Sequence, residues 1–378
     1  LFIGKCLTIS HEEKNRILIE EELKAELIDW EFVVEISTAH YVFPALYCNL
    51  KRANFLHYLP EELVDHMIYI TDLNRERNQQ IINQAKELNE LLLANNITPI
   101  FLKGAGNLLE GLYEDIAERM VGDIDFIVSK ENYENTINIL KTDNYYTKGK
   151  DQKTRKFHWH YPRLIKKGHI AAIEVHNKVL KKPYSNILSF KMIHKDALFF
   201  NNIKVASYEN QILNNVLPKQ LNDNLYYSKK ILLRTVFDLF LIRKKYNGNF
   251  PKTNIKKIDT RFNHFTICAS YLLNNKNIFI DRIKGEILDF QAGPADQPAV
   301  DIRLGEQAGC VGGFDRPAVE KTDGCGRFPS EPPRQRVPDE TVHLGDLGQG
   351  QSDALVVVDD QDGGHVWISL VAPWRLSR

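Results

Sequence analysis

Two aspartates, one residue apart in an apolar run, constrain this chain more than any other feature. Asp123 and Asp125 alternate with apolar residues, which are Ile124, Phe126 and Val128. On a β-strand this spacing puts both carboxylates on one face and the apolar side chains on the other. Carboxylates held side by side repel each other, and a divalent cation between them is the usual relief. The pattern predicts a strand that carries a Mg²⁺ site, although an isolated Asp-x-Asp is more often a solvated turn.

A second apolar run lies just before these acids. Residues 100–102 are Ile-Phe-Leu, bounded by Pro99 and Gly104, and this punctuation predicts a buried strand followed by a glycine turn and a short helix. Lys103 and Gly104 in that turn have two interpretations. The backbone N–H groups and the lysine charge bind phosphate, or the turn is a plain connection with a solvated lysine.

A third carboxylate is expected from a later strand. Residues 155–161 and 170–176 are β-prone and flank Lys-Lys-Gly at 166–168, which predicts a hairpin. Its second strand places Glu174 and His176 on one face. Glu174 is therefore the natural third acid, whereas His176 either orients that carboxylate, touches substrate or is a packed, hydrogen-bonded histidine.

These segments resemble a poorly characterised family of bacterial nucleotidyltransferases within the polymerase-β-type superfamily, which includes adenylyltransferases and the toxins of abortive-infection systems. The resemblance spans about residues 25 to 285 and stops there. The residues that carry it are Leu102-Lys103-Gly104-Ala105, Leu108, Leu109, Tyr113, Arg119, Asp123 to Val128, Glu174-Val175-His176, Trp30, His40, Pro44, Leu46, and Arg234 with Asp238-Leu239.

The resemblance implies an α+β fold, with a nucleotidyltransferase-type mixed β-sheet, flanking helices, and helical segments at both ends. It also implies an enzyme that moves a nucleoside monophosphate from an NTP to an unidentified acceptor (small molecule, protein or RNA) and releases pyrophosphate. The implied catalytic and metal-binding residues are Asp123, Asp125 and Glu174, with Mg²⁺ or Mn²⁺, and the implied nucleotide-binding residues are Lys103, Gly104, Arg119 and His176. The third acid in such families is often Asp, so Glu174 leaves a one-metal or inactive site open. Arg119 either neutralises a phosphate or pairs with an acid.

Other kinds of site are weaker. Zinc is disfavoured, because His158, His160 and His176 have no further ligand pair at metal spacing. An RNA-binding strip is a secondary interpretation of a basic run interleaved with aromatic residues. Its cations are Lys148, Lys150, Lys153, Arg155 and Lys156. The alternative functions are a toxin-like transferase acting on tRNA and an inactive nucleotide-binding or scaffold protein.

Periodicity and composition divide the chain into four parts. We predict a helical segment at 1–96, the catalytic α/β core at 97–206, a helical domain at 207–290 and a low-order tail at 291–378. The tail contains no asparagine and one lysine, but 12 of the 21 glycines, and we interpret it as not native to the enzyme. In the second helical region, Arg234 and Asp238 stand at the spacing of a helix-surface ion pair.

The whole-chain composition gives only broad limits. The formal net charge is zero, so no overall charge favours nucleic acid or an anionic membrane. The five cysteines are scattered, which is typical of a reducing, cytoplasmic environment. No apolar run reaches membrane-spanning length, so no membrane partner is expected. The acceptor, the preferred base and the oligomeric state leave no spacing pattern.

Overall fold

A mixed sheet of seven strands lies at the centre of the fold. The computed structural model describes residues 1–147, 159–246, 250–253, 255–275 and 278–279, together with the backbone of two short strands at 356–359 and 365–368. In chain order the strands of the central sheet are β1 (Ile100–Phe101), β2 (Asp123–Ile127), β3 (Tyr146–Thr147), β4 (Leu164–Ile165), β5 (Ala172–His176), β6 (Leu198–Phe200) and β7 (Ile203–Val205).

The spatial order of the strands is β3-β4-β5-β2-β1-β7-β6. Strand β2 lies in the middle, parallel to β5 on one side and antiparallel to β1 on the other. Strands β1 and β7 are also parallel, whereas the remaining pairs are antiparallel. Together with its helices, this sheet confirms the predicted α+β class.

The helices precede, connect and follow the strands. In the described part of the chain they are α1 (Phe2–Cys6), α2 (Glu13–Lys24), α3 (Trp30–Ala39), α4 (Phe43–Arg52), α5 (Glu61–Ala94), α6 (Lys103–Leu109), α7 (Tyr133–Thr142), α8 (Phe190–Lys195), α9 (Tyr208–Leu217), α10 (Leu233–Lys245) and α11 (Lys256–Leu272). Short 3₁₀ turns occur at Leu56–Tyr58, Ile116–Glu118 and Tyr184–Asn186, and a π-helical turn follows α9 at Pro218–Asn222.

Helix α5 holds the segments that lead into the two acidic strands. It is one continuous helix of 34 residues, and polar side chains lie among its buried ones. Asn78 donates from Nδ2 to the carbonyl oxygen of Arg119 at 2.6 Å, and Asn74 donates to that of Ala117 at 2.7 Å. Gln84 makes two hydrogen bonds to the backbone of Ala171. Because each of these bonds satisfies buried backbone groups just before β2 or β5, the helix fixes where both strands begin.

Two local predictions differ from the structure. Residues 131–142 have apolar residues at helical spacing, and Ser129 before them is a plausible N-cap. In the structure, however, α7 begins at Tyr133 with Asn132 as its N-cap residue. Ser129 Oγ instead accepts from the backbone N–H of Asn132 at 3.2 Å. The predicted glycine turn after β1 is also absent from this described segment, because α6 begins at Lys103, two residues after the strand ends.

The predicted hairpin is seen in part. Leu164 of β4 pairs antiparallel with Ile173 of β5, and His160 forms a bridge to His176. Residues 155–158 lie outside the described residues. Further along, β8 (Val356–Asp359) and β9 (His365–Ile368) form a separate antiparallel pair in the predicted tail. Within the described residues, no helix has the length and apolar character that crossing a bilayer requires.

Candidate active site

The acidic residues converge on one face of the β2–β5 pair. The parallel register sets Asp125 opposite Glu174 and Ile127 opposite His176. Because side chains of a strand alternate between the two faces of the sheet, Asp123, Asp125, Glu174 and His176 share one face. The other face of both strands is apolar. It is formed by Ile124, Phe126, Ile173 and Val175, each 0 % exposed. The alternation predicted for β2 is confirmed, and Glu174 lies beside the aspartates.

Three cationic side chains pair with these three carboxylates. Lys103 Nζ lies 2.6 Å from Asp125 Oδ1. Arg163 bridges the other two acids, because its Nη2 lies 2.9 Å from Asp123 Oδ2 and its Nε lies 2.8 Å from Glu174 Oε1. His176 Nε2 lies 2.8 Å from Asp125 Oδ1 and 3.6 Å from Glu174 Oε2. The site is thus a network of alternating charges, which offsets the repulsion among the acids.

Burial and neighbouring charge separate the acids electrostatically. Burial, with the charges of Asp125 and Glu174, raises the pKa of Asp123 to about 6. Burial also disfavours the ionised form of Glu174, but its contact with His176 and the charge of Lys103 outweigh this and hold its pKa well below the ordinary value. Burial acts against the charge of Lys103, yet the three carboxylates raise its pKa. Glu174 and Lys103 are therefore charged near neutral pH, whereas Asp123 titrates close to it.

His176 is placed to orient Asp125. Its Nδ1 lies 3.3 Å from the carbonyl oxygen of Lys178, while its Nε2 faces the Asp125 carboxylate. Both ring nitrogens therefore point at oxygen acceptors, as an imidazolium requires. Burial lowers the pKa of His176, but the hydrogen bond to Asp125 and the nearby Glu174 carboxylate outweigh burial and raise it. A ring that donates from both nitrogens has no lone pair for a metal, so His176 positions its neighbours in this arrangement.

The donor set fits a divalent cation. Ligand atoms of Asp125, Glu174 and His176 all lie within 4.8 Å of one another. Asp123 is not one of these three, but it is linked to Glu174 by Arg163, whose guanidinium contacts both carboxylates. Carboxylate oxygens are the ligands that Mg²⁺ and Mn²⁺ prefer. Three carboxylates on one sheet face therefore match the chemistry of such a cation.

Lys103 and Gly104 have roles that their sequence pattern did not indicate. Lys103, not the glycine, adopts the left-handed conformation, with a φ of 51°. Such a conformation is costly for a residue other than glycine and persists where its surroundings enforce it, here through the ion pair with Asp125. A Cβ at Gly104 would lie 3.1 Å from Val121 Cγ2 and 3.3 Å from Arg119 Nη2. Gly104 therefore allows the close approach of α6 to the segment before β2.

Arg119 lies in a buried ion pair. Its Nε contacts Asp238 Oδ2 of α10 at 3.0 Å, and Tyr113 donates to the other oxygen of that carboxylate at 2.7 Å. Of the two roles left open for Arg119, pairing with an acid is the one observed. The expected pair between Arg234 and Asp238 is not seen in the described part of the chain. Arg234 donates to the carbonyl oxygen of Met120 instead.

Arg163 is the functional residue that the sequence pattern missed. It follows Pro162 in the connection to β4, and no periodic or spacing signal marks it. The cations of the predicted RNA-binding strip lie at 148–156, outside the described residues. His158, one of the three histidines considered for zinc, lies outside them too. His160 is described, and its ring lies 5.2 Å from that of His176, between centroids.

Comparison with known proteins identifies a family. The profile of a family described as "Uncharacterised nucleotidyltransferase" matches residues 26–274, which include every residue of the charge network. Comparisons with curated proteins and with solved structures find no match. Because the family profile covers well over half of the chain, the protein belongs to this uncharacterised nucleotidyltransferase family.

Proposed function

We propose that the protein transfers a nucleoside monophosphate from an NTP to an acceptor and releases pyrophosphate, with Mg²⁺ or Mn²⁺ as its cofactor. The observation that carries this proposal is the convergence of Asp123, Asp125 and Glu174 on one face of the β2–β5 pair. Phosphoryl transfer requires little covalent help from a protein and depends on positioned charge. A cluster of three acids next to a lysine meets that requirement.

The three acids would hold the cation. When bound, a divalent cation neutralises charge that develops on the transferred phosphoryl group and on the leaving pyrophosphate. Glu174 suits this role because its low pKa keeps it ionised. Asp125 is buried and fixed by Lys103 and His176, so its carboxylate is oriented before substrate arrives. Such preorganisation reduces the reorganisation needed during the reaction.

Lys103 would move its charge from Asp125 to phosphate when the cation binds. Its side chain is 30 % exposed, so the ammonium group is accessible from solvent. Gly104 and Arg119 would form the surface beside the Lys103 ammonium group, since Gly104 packs directly against the Arg119 guanidinium. His176 would keep Asp125 and Glu174 in place. Glu174 would complete the cation site on the side that faces the acceptor.

A transfer assay with a matched pair of variants tests the proposal. Purified wild type, Asp125→Asn and Asp143→Asn would each be incubated with Mg²⁺, a cell lysate and an NTP radiolabelled on the α-phosphate. Asp143 is a suitable control because it also forms an ion pair, with Lys166 at 2.8 Å, outside the charge network. We expect label on an acceptor with wild type and Asp143→Asn, and loss of about a hundredfold or more with Asp125→Asn.

The labelled product separates the remaining functions. Label on RNA would support a transferase acting on tRNA, and label on a small molecule or protein would identify another acceptor. NTP binding without any transfer, in wild type as in Asp125→Asn, would contradict the proposed activity and favour an inactive nucleotide-binding protein.

A further inference from the structure

Three arginines surround the short segment that leads into Asp123. Arg119 donates from Nη1 to the carbonyl oxygen of Met120 at 2.7 Å, and Arg234 of α10 donates to the same oxygen at 3.3 Å. Arg77 of α5 donates from Nε to the carbonyl oxygen of Val121 at 3.4 Å. Since two guanidinium groups share one carbonyl oxygen, they lie side by side. Three guanidinium groups thus contact the carbonyl oxygens of two neighbouring residues.

Within the described part of the chain, Arg119 is the one of these arginines that forms an ion pair. Arg119 pairs with Asp238. For Arg77 and Arg234, by contrast, no ion pair is found among the described residues, and their polar contacts are backbone carbonyls. The guanidinium of Arg234 also lies 4.6 Å from the centre of the Tyr41 ring. A partly desolvated cation that makes no ion pair is costly, and a bound anion would offset that cost.

Both unpaired arginines lie close enough to the acidic site to feel its charge. Burial lowers the pKa of Arg77, and Asp123 acts in the opposite direction. Burial and the charge of Arg119 lower the pKa of Arg234 to about 10, opposed by the charge of Asp238 and, less strongly, by that of Asp123. Both side chains are only partly buried, so a ligand at the surface can reach them.

The surface is open at Gly122, the residue before Asp123. Gly122 is exposed, and a Cβ built on it would have no atom within 4 Å. Lys103 and Arg163 are already paired with carboxylates, so Arg77 and Arg234 provide the excess positive charge. Guanidinium groups present N–H donors in a planar fork that matches phosphate oxygens. The chemistry therefore favours a polyphosphate.

We propose that Arg234 and Arg77 bind the triphosphate of the substrate, at the phosphates that leave as pyrophosphate. This assignment rests on the proposed function and adds two residues to it. Arg119, held by Asp238, is a positioning residue, because its guanidinium shares the Met120 carbonyl oxygen with that of Arg234. Helix α10 would then contribute directly to substrate binding.

Calorimetric titration tests the proposal with inorganic pyrophosphate, ATP and AMP as probes, in the presence of Mg²⁺. The variants are Arg234→Gln and Arg77→Gln. Arg243→Gln is the control, because Arg243 lies on the same helix and donates to a backbone carbonyl, that of Ile278, at 3.2 Å. We expect each site variant to weaken pyrophosphate and ATP binding by about tenfold or more. AMP binding and the control should change by less than about twofold.

The pattern of affinities distinguishes the possible outcomes. Two results would refute the proposal that these arginines bind the triphosphate. One is an equal loss of affinity for AMP and for ATP, and the other is unchanged affinity for pyrophosphate in a folded variant. Thermal unfolding identifies a variant that fails to fold, and Arg234→Lys then repeats the test with the charge retained but the planar fork removed. Selective loss of pyrophosphate binding in a protein without transfer activity would support the anion site and refute the proposed function. Normal pyrophosphate binding by the arginine variants, with transfer lost only in Asp125→Asn, would support the proposed function and refute the anion site.

Discussion

Arg163 pairs with two of the three carboxylates that we propose as cation ligands, so its removal should strengthen cation binding. Its guanidinium contacts Asp123 at 2.9 Å and Glu174 at 2.8 Å, and its side chain is 48 % exposed. An ion pair at this exposure contributes about 0.2–1 kcal/mol. The two contacts together therefore contribute about 1 kcal/mol, which the cation must displace. In Arg163→Gln this cost disappears, so we expect the cation to bind about fivefold more tightly.

Mn²⁺ titration followed by electron paramagnetic resonance measures this change, since free and bound Mn²⁺ give different signals. The titration should be done at about pH 8, because the pKa of Asp123 is about 6 and protons compete with the cation below that value. Lys166→Gln is the matched control. It removes a cation from a carboxylate contact of similar length, 2.8 Å to Asp143, outside the charge network.

The opposite result would refute the reasoning. If Arg163→Gln bound Mn²⁺ as weakly as wild type, or more weakly, the guanidinium would not compete with the cation. In that case Arg163 would support the carboxylates in their binding geometry. An equal gain of affinity in Lys166→Gln would indicate a general effect of net charge.

Two further predictions concern stability. In Gly106→Ala the new Cβ would lie 2.9 Å from a backbone carbonyl oxygen of β1, so we expect the free energy of unfolding in urea to fall by about 1–3 kcal/mol. Gly122→Ala is the control, because the space around Gly122 is open, and it should leave the stability nearly unchanged. Burial raises the pKa of Glu110 to about 6 from 4.5 in the unfolded chain, so ionisation costs the folded state about 2 kcal/mol. Wild type should lose this amount relative to Glu110→Gln as the pH rises from about 4.5 to about 6. If the difference in unfolding free energy between wild type and Glu110→Gln stayed constant across that pH range, the pKa of Glu110 would not be raised by folding.

The sequence was informative where chemistry follows local periodicity. The alternation in residues 123–128 predicts which face of β2 is acidic, and the same two-residue period places Glu174 with His176. Apolar residues at helical spacing in 61–95 predict one or two longer helices, and the structure has one, α5. These features depend on neighbours in the chain, so no knowledge of the tertiary structure is needed.

The partners of the site residues could not be predicted in this way. Arg163 meets Asp123 only because β4 and β5 bring the chain back beside β2. Arg234 lies four positions before Asp238, yet Asp238 pairs with Arg119 from a distant segment. The buried Asp238 carboxylate faces the segment that precedes β2, which the sequence does not reveal. The left-handed conformation of Lys103 is also invisible in sequence, since a glycine stands next to it and is the expected site for such a conformation.

The parallel alignment of β2 with β5 has a consequence for how this protein tolerates change. Asp125 and Glu174 come from distant segments of the chain, and only backbone pairing sets them opposite each other. Insertions in the intervening segment would leave the acids together as long as both strands pair as before. Deletion of a single residue inside β5 would instead turn Glu174 toward the apolar side and bring a hydrophobic neighbour to the acidic side. Length variation among relatives should therefore concentrate between the strands and spare the strands themselves.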